Sequence, residues 1–328
     1  MTIDDQNNED FSNKKVSSQT NVTDKRNFAL SVSIVITALI LGFAWIYTVK
    51  LKISLQAKNQ IETETQLSVE EAIELPLRWD NLGVQMIDAG VINQEAFESI
   101  YAQRGGLDSQ EKQLLLGKSN GTIKINQQNA GFFLNFLWAF GLSNKNSILE
   151  NGPMMDPQYG GAENFASTGG WTIANGNIMN HYSAHSFVVL TKEQQELVER
   201  VSKNIYRPCC GNSTYFPDCN HGMAMLGLLE LLAAQGIDEQ TIYKVALEVN
   251  KLWFPEQYNV ITQYLLNNNK NIENINPREI LGINYSSASG YGRILQSVGP
   301  QPSKDSVNCS IGGESTAPAQ SSGSGCGI

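Results

Sequence analysis

From Phe28 to Val49 the chain reads FALSVSIVITALILGFAWIYTV, without one charged side chain. At 1.5 Å per residue a helix of this length reaches about 33 Å, enough to cross a hydrocarbon layer about 30 Å thick. A removable secretory signal has a shorter apolar stretch of about 7–15 residues, followed by small residues at a cleavage point. Here Lys50 and Lys52 follow instead. The run therefore predicts a transmembrane helix over residues 28–49 and a single-pass protein of the cell membrane. Lys14, Lys15, Lys25 and Arg26 precede it; Lys50, Lys52 and Lys58 follow it. That bias is slight. A short tail ahead of one anchor is the simplest insertion, and it predicts a cytoplasmic N-terminus with an extracytoplasmic body.

The rest of the chain divides around this segment. Residues 1–27 are a polar tail rich in Asn, Asp, Ser and Lys, the composition of a disordered segment. Residues 50–74 read as a polar helical stalk, and residues 75–298 as a mainly α soluble domain with irregular helices and long loops. Within that domain WDNLGVQMIDAGV, NQEAFESIYAQR and SQEKQLLLGK space their apolar residues three and four apart, with Asn93 and Asp108 or Ser109 as N-caps. Asn129 to Leu142 is apolar nearly all round and too short to span a bilayer, which predicts a buried helix. Thr191 and Gln194 form a capping box. HGMAMLGLLELLAAQG and DEQTIYKVALEVNKLWF then predict two helices broken at Gly236, the second capped by Asp238. TIKIN, at Thr122 to Asn126, is the one strand expected. Residues 151–180 carry glycines and prolines in a stretch longer than a compact domain needs for a connection, which predicts a functional loop. Residues 299–328, rich in Ser, Gly and Pro, form a flexible tail that carries Cys326 near its end.

Charge removes one class of partner. With a net charge of -9 and a pI near 5.0, the chain offers no basic face to phosphate backbones, so nucleic acid is excluded and the membrane is the partner expected. At 328 residues with 41% hydrophobic content, the chain can build a core without disulfides.

Chemistry concentrates in RPCCGNSTYFPDCNHGMAM, Arg207 to Met225, which gathers three of the five cysteines and one of the three histidines. Cys209, Cys210, Cys219 and His221 supply three thiolates and an imidazole, the donor set of a tetrahedral Zn(II) site. Pro208, Gly211 and Pro217 allow the loop to turn tightly, and Asp218 is placed to hydrogen-bond a ligating ring. The spacing CC-x8-C-x-H is not a paired CxxC pattern. Thiolate donors also suit Cu(I), so copper is the second metal; Met223 and Met225 fall in an apolar helical run and read as core. Two other readings compete with the metal: a disulfide from Cys209 or Cys210 to Cys219, and inert buried thiols. A bond between adjacent Cys209 and Cys210 is strained.

His181 and His185, in HYSAH, are four apart; on a helix they would face one way and form a second metal pair, without the glutamate of HExxH. Cys309 and Cys326, on the Ser/Gly tail, are mobile thiols with enough chain to reach the loop. GxSxG, HExxH and the P-loop pattern are missing from the sequence, which argues against the common hydrolases. Three functional classes follow: an anchored metal-binding protein (Zn or Cu), an anchored thiol-disulfide redox protein, and a helical interaction module in which the Cys/His loop is a staple.

Overall fold

A computed structural model describes residues 41–50, 52, 72–118, 121–270 and 274–298. The chain separates into two compact units, residues 1–68 and 69–328. In the first, residues 41–50 are helical. Among the described residues no helix is long and apolar enough to cross a membrane. Residues 28–40 of the expected transmembrane segment lie outside the described residues. A helix over residues 41–50 measures about 15 Å, half of a hydrocarbon layer. The single-pass assignment is corrected on that ground, together with the cell-membrane location and extracytoplasmic body that depended on it.

The second unit is mainly helical, as its three-and-four periodicities require. It opens on β1 (Ile73–Arg78), which pairs antiparallel with β2 (Thr122–Ile125) in a two-stranded sheet, Leu75 opposite Ile123. Leu75, Leu77, Ile123 and Ile125 are buried while their neighbours face out. Ile73 and Glu74, at the end of the expected stalk, are strand; residues 51 and 53–71 of that stalk lie outside the described residues. Pro76 sits where the register slips between Leu75 and Arg78, a break that an edge strand tolerates.

Between the strands lie α1 (Leu82–Asp88), α2 (Gln94–Ala102) and α3 (Ser109–Leu116). Asn93 caps α2, and Asp108 with Glu111 closes a capping box on α3. After β2 come α4 (Ala130–Ser143), α5 (Ser147–Asn151), the short α6 (Ala166–Gly169), α7 (Lys192–Ser202), α8 (Asn220–Ala234), α9 (Glu239–Trp253) and α10 (Pro255–Asn267). Then α11 (Pro277–Ile280), α12 (Ile283–Ser286) and α13 (Ala288–Val298) complete the unit. The predicted capping box of Thr191 and Gln194 is present on α7, Asp238 caps α9, and Gly236 breaks the chain with φ +77°.

The core is the pairing of α4 with α8, two helices apolar on every face and buried almost throughout. Phe132, Phe136 and Phe140 of α4 meet Trp79 and Phe97 of the N-terminal elements, Trp79 and Phe136 at 4.4 Å between ring centres. Close approach of the two backbones depends on Gly141 and Gly227. A methyl on Gly227 would lie 2.7 Å from Leu137 O and 2.9 Å from Gly141 N, inside contact distance. Gly227→Ala should therefore cost about 1–3 kcal/mol by overpacking. Gly292→Ala, on α13 with open space around the position, should instead gain up to about 1 kcal/mol from helix propensity. Opposite shifts in urea midpoint check the pair.

Candidate metal centre

Cys219 ends the Cys-rich loop and is the N-cap of α8, so its side chain stands at the positive end of a buried fifteen-residue helix. Its sulfur lies 3.9 Å from the sulfur of Cys209 and 3.9 Å from that of Cys210. His221, the second residue of α8, belongs with Cys209 and Cys219 to a group whose donor atoms all fall within 4.8 Å of one another. The sequence-predicted set is thus brought together, with one distinction. Cys210 is outside that trio; its thiol faces Asn212 O at 3.9 Å and Asp218 Oδ1 at 3.8 Å.

The His221 ring is clamped rather than free. Phe254 lies 4.5 Å from it and Trp253 5.8 Å, centre to centre, both from the end of α9. His221 is buried and its Nδ1 has no hydrogen-bond partner. An unpaired buried imidazole nitrogen is costly as it stands, because burial removes water without supplying a partner.

Arg207 organises the loop from within. It is 1% exposed. Its Nε donates to Cys219 Sγ at 3.0 Å, one terminal nitrogen to Asn212 O at 3.0 Å, and the other to Phe216 O at 3.3 Å and Asp218 Oδ1 at 2.5 Å. The guanidinium rests on the backbone of Gly222, where a Cβ would stand 2.5 Å from Cζ. Asp218 also accepts from Asn212 Nδ2 at 2.7 Å. Both of its oxygens are therefore occupied by the loop, and the carboxylate bonds Arg207 rather than the His221 ring expected as its partner.

These contacts sort the thiols. Hydrogen bonds from Cys209 and Cys210 hold Cys219 well below the usual thiol range; Arg207 and His221 add to this and burial opposes it. Cys209 is raised by its hydrogen bonds to Cys210 and Cys219 and by burial. A hydrogen bond from Cys209 pulls Cys210 down, but its own bond to Cys219, together with burial, leaves it at about 12. The Cys219 sulfur thus accepts from the Arg207 guanidinium and lies within hydrogen-bond distance of both other loop thiols. Asp218 is raised by burial, with Arg207 working the other way.

The loop over residues 151–180 is a buttress for this site. It is divided into short 3-10 turns and α6. Tyr159 and Phe165 pack on Phe216 at 5.4 Å each, and Ser167 N donates to Asp218 O at 3.3 Å. From the other end of the chain, Ala288 N donates to Cys210 O at 2.9 Å. Met223 and Met225 are buried in the core.

His181 and His185 do meet, but through a turn rather than on a helix: Ser183 has φ +50°, and His185 bridges to Asn144. His181 Nε2 lies 3.1 Å from Asn175 O, which can only accept, so that nitrogen carries the proton and Nδ1 accepts from His185 Nε2 at 3.0 Å. Burial, and then His181, lower the pKa of His185. Among the described residues these two imidazoles belong to no group of three metal donors. Cys309 and Cys326 lie outside the described residues.

Sequence reasoning places Arg207 near the loop cysteines but not its burial inside the loop, and it passed over Trp253 and Phe254; nothing in sequence spacing announces burial. No protein-family model matches the chain, and neither a curated protein nor a solved structure does.

Proposed function

We propose that the loop binds one metal ion through Cys209, Cys219 and His221, with Cys210 as the fourth donor after its side chain turns away from Asp218. The observation that carries this reading is the His221 Nδ1, buried without a partner in a residue grouped with two thiols at ligand distance. A metal ion removes that deficit and fits the soft donor set.

Charge favours zinc over copper. Three thiolates contribute -3, and the Arg207–Asp218 ion pair sums to zero. Zn(II) leaves a residual -1 and Cu(I) leaves -2; the smaller buried charge is the less costly. Because a cysteine must be deprotonated to ligate, uptake releases protons.

The test is metal content. Full-length protein, reduced, equilibrated with zinc chloride and desalted, should carry one zinc per chain. Cys219→Ser and His221→Ala should each fall below about a tenth of that. Cys210→Ser should weaken affinity on the order of 10–100-fold, as loss of a supporting or peripheral donor does. Cys309→Ser and Cys326→Ser should leave loop occupancy unchanged. Undiminished zinc in both Cys219→Ser and His221→Ala would sink the reading.

A further inference from the structure

Cys219 is the only one of the three loop sulfurs shown within 3.9 Å of both others across the loop. It is the buried member, while Cys209 and Cys210 are half-buried at the rim. We propose that this arrangement is a redox gate: Cys219 forms a disulfide with either rim cysteine, and doing so ejects the bound ion. Closing from 3.9 Å to a bond of about 2.05 Å requires the two sulfurs to approach by about 1.9 Å. The adjacent pair, Cys209 and Cys210, cannot substitute, since a bond between neighbours strains the backbone.

The chemistry balances with a small-molecule disulfide as oxidant. A rim thiolate leaves the ion and attacks one sulfur of the oxidant. The oxidant's S–S bond breaks, a mixed disulfide forms, and one thiolate leaves, taking a proton from solvent. Cys219, whose sulfur accepts from Arg207 Nε at 3.0 Å, then leaves the ion as a thiolate and attacks the rim sulfur. It expels the second thiolate, which takes a proton from solvent. Two electrons pass from the protein to the oxidant, which ends as two thiols. Because the oxidised pair no longer offers two thiolates, the ion keeps at most two of its four donors. Arg207 still ties Asn212 O, Phe216 O and Asp218, so the loop has a scaffold that does not depend on the metal.

Release of the ion rests on the metal reading above; disulfide formation does not. The test uses the full chain with Cys309→Ser and Cys326→Ser, loaded with zinc and treated with oxidised glutathione. Peptide mass mapping follows the sulfurs, and a chromogenic chelator follows the zinc. Two of the three loop thiols should be lost, linked as Cys209–Cys219 or Cys210–Cys219, with one zinc released per chain and both changes reversed by dithiothreitol. Cys209→Ser and Cys210→Ser should each still form the remaining Cys219 disulfide, which keeps the test decisive if Cys219→Ser fails to fold. A Cys209–Cys210 linkage, or three thiols that stay free to alkylation, overturns the gate. Zinc that stays bound after the disulfide has formed overturns ejection. Reduced protein without zinc overturns the metal reading alone, since the mass map still judges the disulfide.

Discussion

Exchanging Arg207 for methionine is expected to lower the stability of the metal-free protein by about 3–5 kcal/mol, the range for removing one partner of a buried ion pair. The loss has identifiable parts. Asp218, 20% exposed, would keep a buried charge with only Asn212 Nδ2 and the weakly donating Cys210 thiol as side-chain donors, and Cys219 would lose the N–H at 3.0 Å. Asn212 O and Phe216 O would lose donors as well. A cation at the start of α8 is disfavoured by the helix dipole, so Arg207 is held there by Asp218 and Cys219 rather than by the helix. Adding Asp218→Asn should recover part of the loss by removing the stranded charge, but not all, because Cys219, Asn212 O and Phe216 O still lack the guanidinium donors. Gly222→Ala attacks the same seat from the helix side and should act non-additively with Arg207→Met. Chemical denaturation of the single and paired variants measures all of this. A loss under about 1 kcal/mol for Arg207→Met would show that the guanidinium does not hold the loop.

How far these features could be read from the sequence depends on whether the cause is local. The caps at Asn93, Asp108, Thr191 and Asp238 form because a side chain reaches its own backbone two or three residues on, and spacing captures that. The all-apolar runs of α4 and α8 announced buried helices for the same reason. β1 was hidden because Pro76 breaks its alternation and because its partner lies more than forty residues away, as Thr122 lies from Arg78. At the site, donor types and loop chemistry were legible in Cys209, Cys210, Cys219 and His221. The rotation of Cys210 toward Asp218 and the clamp of Trp253 and Phe254 on His221 were not, since they arise from packing between distant elements. HYSAH misled in the opposite direction: its spacing fits a helical face, but the chain turns at Ser183. The apolar run before Lys50 supports no spanning helix among the described residues, of which it contributes 41–49.

Glu230 leads to the second large effect. It is fully buried in the middle of α8, with Oε2 accepting from Asn144 Nδ2 and Oε1 without a partner. No cation pairs with it among the described residues. Burial therefore raises its pKa well above the usual carboxylate range, only partly offset by Asn144 and Asn146. The sign of the linkage follows. Below about pH 4.5 the carboxyl is protonated in both the folded and the unfolded chain, and the group makes no pH-dependent difference. Above that, the unfolded chain releases the proton while the folded chain keeps it, so stability falls by about 1.4 kcal/mol per pH unit until the folded pKa is reached. Glu230→Gln keeps the shape and the acceptor for Asn144, and has no proton to lose. Against wild type its stability should therefore rise with pH above 4.5, about tenfold in folding equilibrium per unit. The measurement is urea unfolding of both proteins at pH 5, 6, 7 and 8, with the difference between them as the observable, since titrations elsewhere cancel in it. A flat difference would mean that Glu230 is ionised inside the fold at pH 5. The carboxylate would then have to be matched by donors beyond the Asn144 amide.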